Sequence, residues 1–597
     1  MKKSLRLSLL SFLMVGADFT ESGAWGNQAS QWSRGMVLAQ TLGVELEQQA
    51  DQLNQAGIAL YQQGEVQAAL AQFQKAAEIY KRLGDRSGEA TTLNNIGWIF
   101  SETQPELAII FLKQSVNTTE SLRDEIRGLP TDLQQTYTQT VEFSYRKLAD
   151  LLLQADRVLE AQQVLDLLKV QELEDYLSTV RGNAETRKGV IVLRSEQEIL
   201  AQFDARQTSA IELGNELAQL RQIPEAQRTP AQQQRLVQLD TLQNTLNQDF
   251  NEFLRSPSVQ AALDQLSRTA LRQAVDLADL NAQRQQLQDL NAVLLYPFIL
   301  DDRLELIITT PQSAPLRRTV PVAKTDLNRT IVTFLHDQEQ WLIQRFRVNN
   351  ITAKSLSSLS RQSALNLNIL AGAFVKGAYQ FRVGTEQFNF NGLPFAGQEV
   401  AQLVAAFPGT THFVDRDFSL AAVQPRMGDH SILHLATHAA FVPGQPEDSF
   451  VLFGNGDRAT LRDIANWSLF NVDLVVLSAC ETGLGGNFGN GEEILGLGYQ
   501  FQQQGAKATI ASLWKVDDGG TQALMEVFYN LLQPGNVSKV EALRQAQLAL
   551  IHSQQPTSGG RRGAAPDWEE LALPPGVQKS LNHPYYWASF VLIGNGL

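Results

Sequence analysis

The spacing of apolar residues changes character twice along the chain. From 42 to 175, small and large apolar residues recur at helical steps: Leu53, Gly57, Leu60, Ala69, Phe73 and Ala76, then Leu93, Gly97, Phe100, Ala108, Leu112 and Ser115. The anchors Gly57 and Gly97 stand 40 positions apart. A third, more divergent set, Ala149, Leu152, Ala161, Leu165 and Leu168, keeps the 12-residue step between small residues that separates Gly57 from Ala69. Small residues let two helices approach and the large ones fill the space between layers, so this stretch predicts stacked helix pairs. Between 176 and 290 the chain is rich in Gln, Leu and Ala. Leu236, Leu239, Leu242 and Leu246 share one helical face, and Pro224 and Pro230 mark a break, which predicts an antiparallel helical hairpin.

From 291 onward the rhythm is that of strands. LNAVLLYPFILDDRLELIITTP reads as a strand, a turn at Asp301 and Asp302, and a second strand that opens an α/β domain extending to 597. The runs SILHLATHAAF, NVDLVVLSAC and ATIASLWKV are short, almost wholly apolar and separated by helical stretches, the signature of a mostly parallel sheet buried on both faces. The expected architecture is therefore multidomain: all-α repeats, a helical hairpin, then the α/β domain.

Two of these runs end in reactive side chains. Cys480 is the only cysteine of 597 residues, so an internal disulfide and a cysteine-based metal cluster are both excluded. A thiol with a pKa of about 8.5 is only partly ionised at neutral pH and reacts readily only with a base at hand. His438 stands 42 positions upstream, near the end of the previous strand-like run. Alternation sends Leu433, Leu435 and Thr437 to one face and Ile432, His434, Ala436 and His438 to the other. Only His438 reaches the open end, where the functional crevice of a parallel sheet lies. His434 falls within the sheet and is read as structural.

HLATH followed by LSACETGLG resembles the CHAT family, relatives of caspases and separase. ASLWKVDD at 511–518, ALMEVFYNLL, EALRQAQLAL and the terminal HPYYWASFVLIGNGL match the same family in the same order. The upstream helix pairs resemble the tetratricopeptide repeats to which this domain is commonly joined, and such arrays offer a groove to a protein partner. The resemblance implies a caspase-like cysteine endopeptidase with His438 as base and Cys480 as nucleophile. It further implies an oxyanion site formed by the backbone N–H groups of Ala439 and Cys480, and Asp517 and Asp518 as acceptors for an Arg or Lys of a protein substrate. The alternative for Asp518 is to cap the helix that follows it. Two departures stand out: Ala439 occupies a position where the family often has Gly, and the stretch 303–365 is shorter than the usual first half of the domain. Both favour the competing reading, a catalytically silent scaffold for protein–protein interaction.

Charge and composition narrow the partners. A net charge of −14 with no basic cluster argues against a nucleic-acid-binding surface. GLGGNFGNGEE after Cys480 lacks the Gly-Lys-Ser/Thr ending of a phosphate loop, and His336, His412, His430, His552 and His583 lack metal-ligand spacing, so neither cofactor nor metal is expected. Lys2, Lys3 and Arg6 precede an apolar run at 7–17, which reads as an export signal within 1–39, with cleavage after Ala24 or Ala39. Export would deliver the protein to a periplasmic or extracellular space; without it the protein stays in the cytoplasm. That run is too short to span a bilayer, and no other stretch reads as a transmembrane helix. Arg561 and Arg562, in TSGGRRGAAP at 557–566, form a candidate self-cleavage site.

Overall fold

The computed structural model describes residues 26–177 apart from 127–130, and 189–327 apart from 249, 274–276 and 314. Of the remainder it describes 341–351, 359, 367–383, 386–440, 447–478, 498, 500–512, 516, 518–552 and 581–597. Cys480, Asp517, the glycine-rich stretch, the loop at 557–566 and the leader at 7–17 lie outside the described residues. The chain divides into two compact units, one of 1–99 with 198–261, the other of 100–197 with 262–597.

The first unit is helical. Helices α1 (Gly26–Gln62) and α2 (Val66–Leu83) are the first predicted pair, and α3 (Arg86–Phe100) begins the second. Gly57 is small because α1 crosses α2 at Phe73, where an added Cβ would lie 2.7 Å from the ring. Gly84, at φ 67°, ends α2 in the left-handed conformation that only glycine adopts without strain. Ala50, Ala76 and Tyr80 form a small core, and the Tyr80 hydroxyl donates to Asp51 at 2.7 Å. Pro224 and Pro230 do break the following helix, separating α7 (Arg194–Gln222) from α8 (Pro230–Gln248) by a short 3-10 turn. The ion pairs Arg235–Glu216 and Arg221–Asp240, each at 2.8 Å, join the two helices, and the chain runs on through α9 (Pro257–Gln273) and α10 (Leu277–Leu290).

In the second unit, α4 (Pro105–Ile126), α5 (Thr131–Gln154) and α6 (Val158–Leu177) continue the repeats. A buried cluster of charge ties them to the start of α7. Lys113 meets Glu160 and, at 2.8 Å, Glu196; Arg157 reaches Glu160 at 2.6 Å, Glu196 at 2.5 Å and Glu106 at 2.9 Å. Sharing two cations among three carboxylates keeps these desolvated charges paired.

The predicted hairpin at 294–309 forms, as β1 (Leu294–Ile299) and β2 (Arg303–Thr309), but it does not enter the main sheet. With β3 (Leu316–Pro321) it makes a separate antiparallel sheet seated on α5 and α6. Tyr296 donates to Asp166 at 2.9 Å, Gln162 donates to Thr309 at 2.8 Å, and Arg303 pairs with Asp150. Burial opposes ionisation of Glu305, but hydrogen bonds from Arg317, Arg303 and Thr319 outweigh it and hold the carboxyl at about 2.

The main sheet has six strands: β4 (Ile369–Ala373), β7 (Thr411–Val414), β8 (Ile432–Ala436), β12 (Leu474–Leu477), β13 (Ala508–Ser512) and β14 (Phe590–Gly594). Their order is β14-β13-β12-β8-β4-β7, all parallel except β14, which runs against β13. Among the described residues, 303–365 adds no strand to this sheet beyond a single bridge from Asn350 to Ile593. One face, with Ile432, Ala436, Leu474, Val476 and Ile510, packs on α11 (Pro394–Ala406), α12 (Asp518–Leu532) and α13 (Lys539–His552). The other, with Leu433, Leu435, Val475 and Leu477, packs on Phe418, Phe453, Leu461 and Phe501. Above the carboxyl edge, the hairpin β5 (Ala378–Val383) and β6 (Glu386–Asn391) and the small sheet of β9 (Ala439–Ala440), β10 (Phe450–Leu452) and β11 (Arg458–Thr460) enclose a third core around Phe374, Phe390 and Phe450.

Candidate functional site

The order of strands reverses at β4, which lies between β7 and β8, and such a switch opens a crevice at the carboxyl ends. His438 follows β8 at this crevice and Phe374 follows β4. The His438 ring, 7% exposed, lies 4.9 Å from the ring of Phe390 and meets Phe374 edge-on at 6.0 Å. Its Nε2 sits 2.7 Å from the backbone carbonyl oxygen of Asn391, the last residue of β6. A carbonyl oxygen only accepts, so Nε2 carries the hydrogen and Nδ1 is the basic nitrogen of the neutral ring.

Ala439 begins β9 opposite Val451, and Leu452 donates its N–H to the His438 carbonyl at 2.9 Å. That bond makes Ala439 and Val451 a non-hydrogen-bonded pair of the antiparallel ladder, whose N–H groups point away from the partner strand. Among the described residues, positive φ outside glycine occurs only at Asp156, Asn291 and Asp415. Ala439 therefore holds a conformation open to any residue, and the family's usual glycine is not needed for the backbone path.

His434 is fully buried four residues earlier, with Nδ1 3.0 Å from the Tyr529 hydroxyl. Its Nε2 comes within 2.9 Å of Glu399 Oε1, although off the line that a good hydrogen bond requires. Glu399 also accepts from Ser478 Oγ at 3.3 Å. Burial, reinforced by the charge of Glu399, raises the Tyr529 phenol well above its ordinary value, so it stays protonated beside His434. This polar row ties β8 and β12 to α11 and α12 just below their open ends.

Asp518 opens α12, and its carboxylate accepts the N–H of Phe395 at 2.7 Å in the first turn of another helix, α11. The N-cap of α11, Leu393, has no side chain able to accept, and Asp518 takes that role from a distance in sequence. The structure thus describes His438, Ala439 and Asp518 of the expected site, while Cys480 and Asp517 fall outside the described residues. The Asn391 carbonyl and the rings of Phe374 and Phe390 were not foreseen. A backbone acceptor leaves no mark in a sequence, and the two rings read as ordinary core residues.

The CHAT domain family profile matches residues 284–595, more than half of the chain, and a tetratricopeptide repeat profile matches 49–121. No curated protein matches the chain. Among the described residues no helix is long and apolar enough to cross a membrane. The repeats point to protein–protein interaction, and the chain belongs to the CHAT-domain family, with its domain carried behind tetratricopeptide repeats.

Proposed function

We propose that the chain is a cysteine endopeptidase in which His438 activates Cys480, acting on protein substrates recruited through the repeats. The observation that carries this reading is register. β12 pairs with β8 at an offset of 42 residues, from Leu474 opposite Ile432 to Leu477 opposite Leu435, and Cys480 follows His438 by the same 42. A parallel pairing continued at that offset would set the two residues at one level at the carboxyl edge. In sequence they also share the alternation phase of His434 and Ser478, both of which meet Glu399.

In the proposed reaction Nδ1 of His438 takes the thiol proton and the thiolate adds to the scissile carbonyl. The N–H groups of Ala439 and Cys480 receive the developing oxyanion. His438 then returns the proton to the departing amine as the C–N bond breaks, and water, activated by the same imidazole, releases the acyl group. Asp517 and Asp518 provide negative charge for an Arg or Lys beside the cleaved bond. The N–H of Phe395 donates to the Asp518 carboxylate at 2.7 Å and fixes where that carboxylate stands.

Arg- and Lys-bearing peptidyl probes that alkylate thiols test the reading. Labelling of the wild type that is lost in both Cys480→Ala and His438→Ala is expected. A folded protein that labels with none of these probes, even with repeat-binding partners added, would leave the domain as an interaction module.

A further inference from the structure

The turn that closes β7 holds a non-glycine residue in the left-handed region, Asp415 at φ 52°. A side chain makes this conformation unfavourable, so it persists only where its surroundings impose it. Two surroundings do so here. The Asp415 carboxylate accepts through Oδ1 from the N–H groups of Val375 at 2.8 Å and Lys376 at 2.7 Å. On its other side the Asp415 carbonyl lies so near Gly454 that a Cβ there would stand 2.2 Å from the oxygen, and the Gly454 carbonyl accepts from Tyr379 at 3.1 Å.

The loop that Asp415 grips, 374–377, is the one that frames the candidate base. Its far side is bound to the end of β6: Gly392 donates to Gly377 at 2.9 Å and Leu393 to Phe374 at 2.9 Å. A Cβ at Gly392 would come within 2.2 Å of the Val375 carbonyl, so the two segments touch backbone to backbone. Phe374 begins this loop and presents its ring edge to His438, while Asn391, next to Gly392, supplies the carbonyl that accepts from Nε2.

We propose that Asp415 is a positioning residue for His438. Its carboxylate fixes the 374–377 loop, and the loop fixes the Asn391 carbonyl and the Phe374 ring that orient the imidazole. The role in catalysis rests on the His438–Cys480 reading; the orientation of His438 does not. Asp415 acts through backbone and touches none of the reacting atoms in the proposed reaction. Its tolerated alternative is Asn, which keeps both the acceptor oxygen and an affinity for left-handed φ. Gly keeps the φ and loses the acceptor.

Because Cys480 is the sole cysteine, alkylation of the full-length protein by iodoacetamide reports it alone. The pH profile of alkylation is measured together with the His438 ring signals in histidine-labelled protein, assigned by their loss in His438→Ala. Asp415→Gly is expected to move the His438 signals and to lower the alkylation rate at pH 7 about tenfold, as the thiol midpoint rises by about one pH unit. Asp415→Asn is expected to match the wild type within threefold. Gly454→Ala, which presses on the Asp415 carbonyl and leaves the carboxylate in place, should move the signals as Asp415→Gly does. It also carries the test if Asp415→Gly does not fold. Unchanged His438 signals in both Asp415→Gly and Gly454→Ala would overturn the proposal. An alkylation profile unaffected by His438→Ala would instead defeat the dyad, leaving the ring signals to judge Asp415.

Discussion

His438 donates through Nε2 to the carbonyl oxygen of Asn391 at 2.7 Å, so a main-chain group decides which nitrogen of the candidate base is basic. At neutral pH, nitrogen-resolved NMR of the histidine rings should find His438 protonated on Nε2 and bare on Nδ1 whenever the ring is uncharged. The opposite tautomer would point the basic nitrogen at a carbonyl and disqualify this ring as the acceptor of a thiol proton.

Removing the Tyr529 hydroxyl should weaken the fold without touching the chemistry. Tyr529→Phe leaves Nδ1 of the fully buried His434 without its hydroxyl partner, a loss of about 1–3 kcal/mol for a stranded buried polar atom. Urea unfolding should register that loss, while the pH profile of Cys480 alkylation should stay where it is in the wild type. A displaced profile would assign this row of polar groups a part in tuning the thiol.

Ala439→Gly should be neutral for activity. The Ala439 backbone lies outside the positive-φ region and its N–H points away from β10, so glycine gains nothing in reach or conformation. A cost of roughly 0.5–1 kcal/mol in stability is expected from the added freedom of glycine in the unfolded chain. Turnover of any peptide substrate that rises severalfold in the variant would mean that the family's usual glycine does more than permit a turn.

Glu78 makes the first unit sensitive to pH. Burial raises its carboxyl from 4.5 to about 7, against the smaller opposing effects of the Gln74 hydrogen bond and the Lys75 charge. The folded chain therefore keeps a proton that the unfolded chain gives up near 4.5. The stability tied to that proton is fully present below pH 4.5 and is lost as pH rises through about 7, an effect on the order of 3 kcal/mol. Glu78→Gln should raise the urea midpoint at pH 8 and leave it nearly unchanged at pH 4. Equal gains at both pH values would trace the effect to something other than this proton.

Much of the fold was legible in periodicity. The small-residue anchor Gly57 and the breaks at Pro224 and Pro230 fall where helices pair or stop, because small volume and a missing N–H act locally. The faces of β8 followed from alternation, and the packing of Leu433 and Leu435 against one core and of Ile432 and Ala436 against the other agrees with it. The hairpin at 294–309 was equally plain as two strands, yet its partner was not. Its residues Tyr296, Arg303 and Thr309 find polar matches on α5 and α6 more than a hundred positions upstream, and no local pattern encodes that pairing. Asp518 illustrates the same limit. Its bond to the first turn of α11 joins residues 123 positions apart, which no local pattern encodes.

The seating of β1 and β2 on α5 and α6 has a mechanical consequence. Asp166 and Gln162 on α6 hold Tyr296 and Thr309 directly, and Asp150 on α5 holds Arg303, with no tether between the third helix pair and this sheet. Those two helices belong to the same compact unit as the sheet and form the wall on which it sits. Load placed on α6 reaches β1 and β2 through those hydrogen bonds, and a chain cut at the start of the matched CHAT segment would strip that sheet of the surface on which it rests.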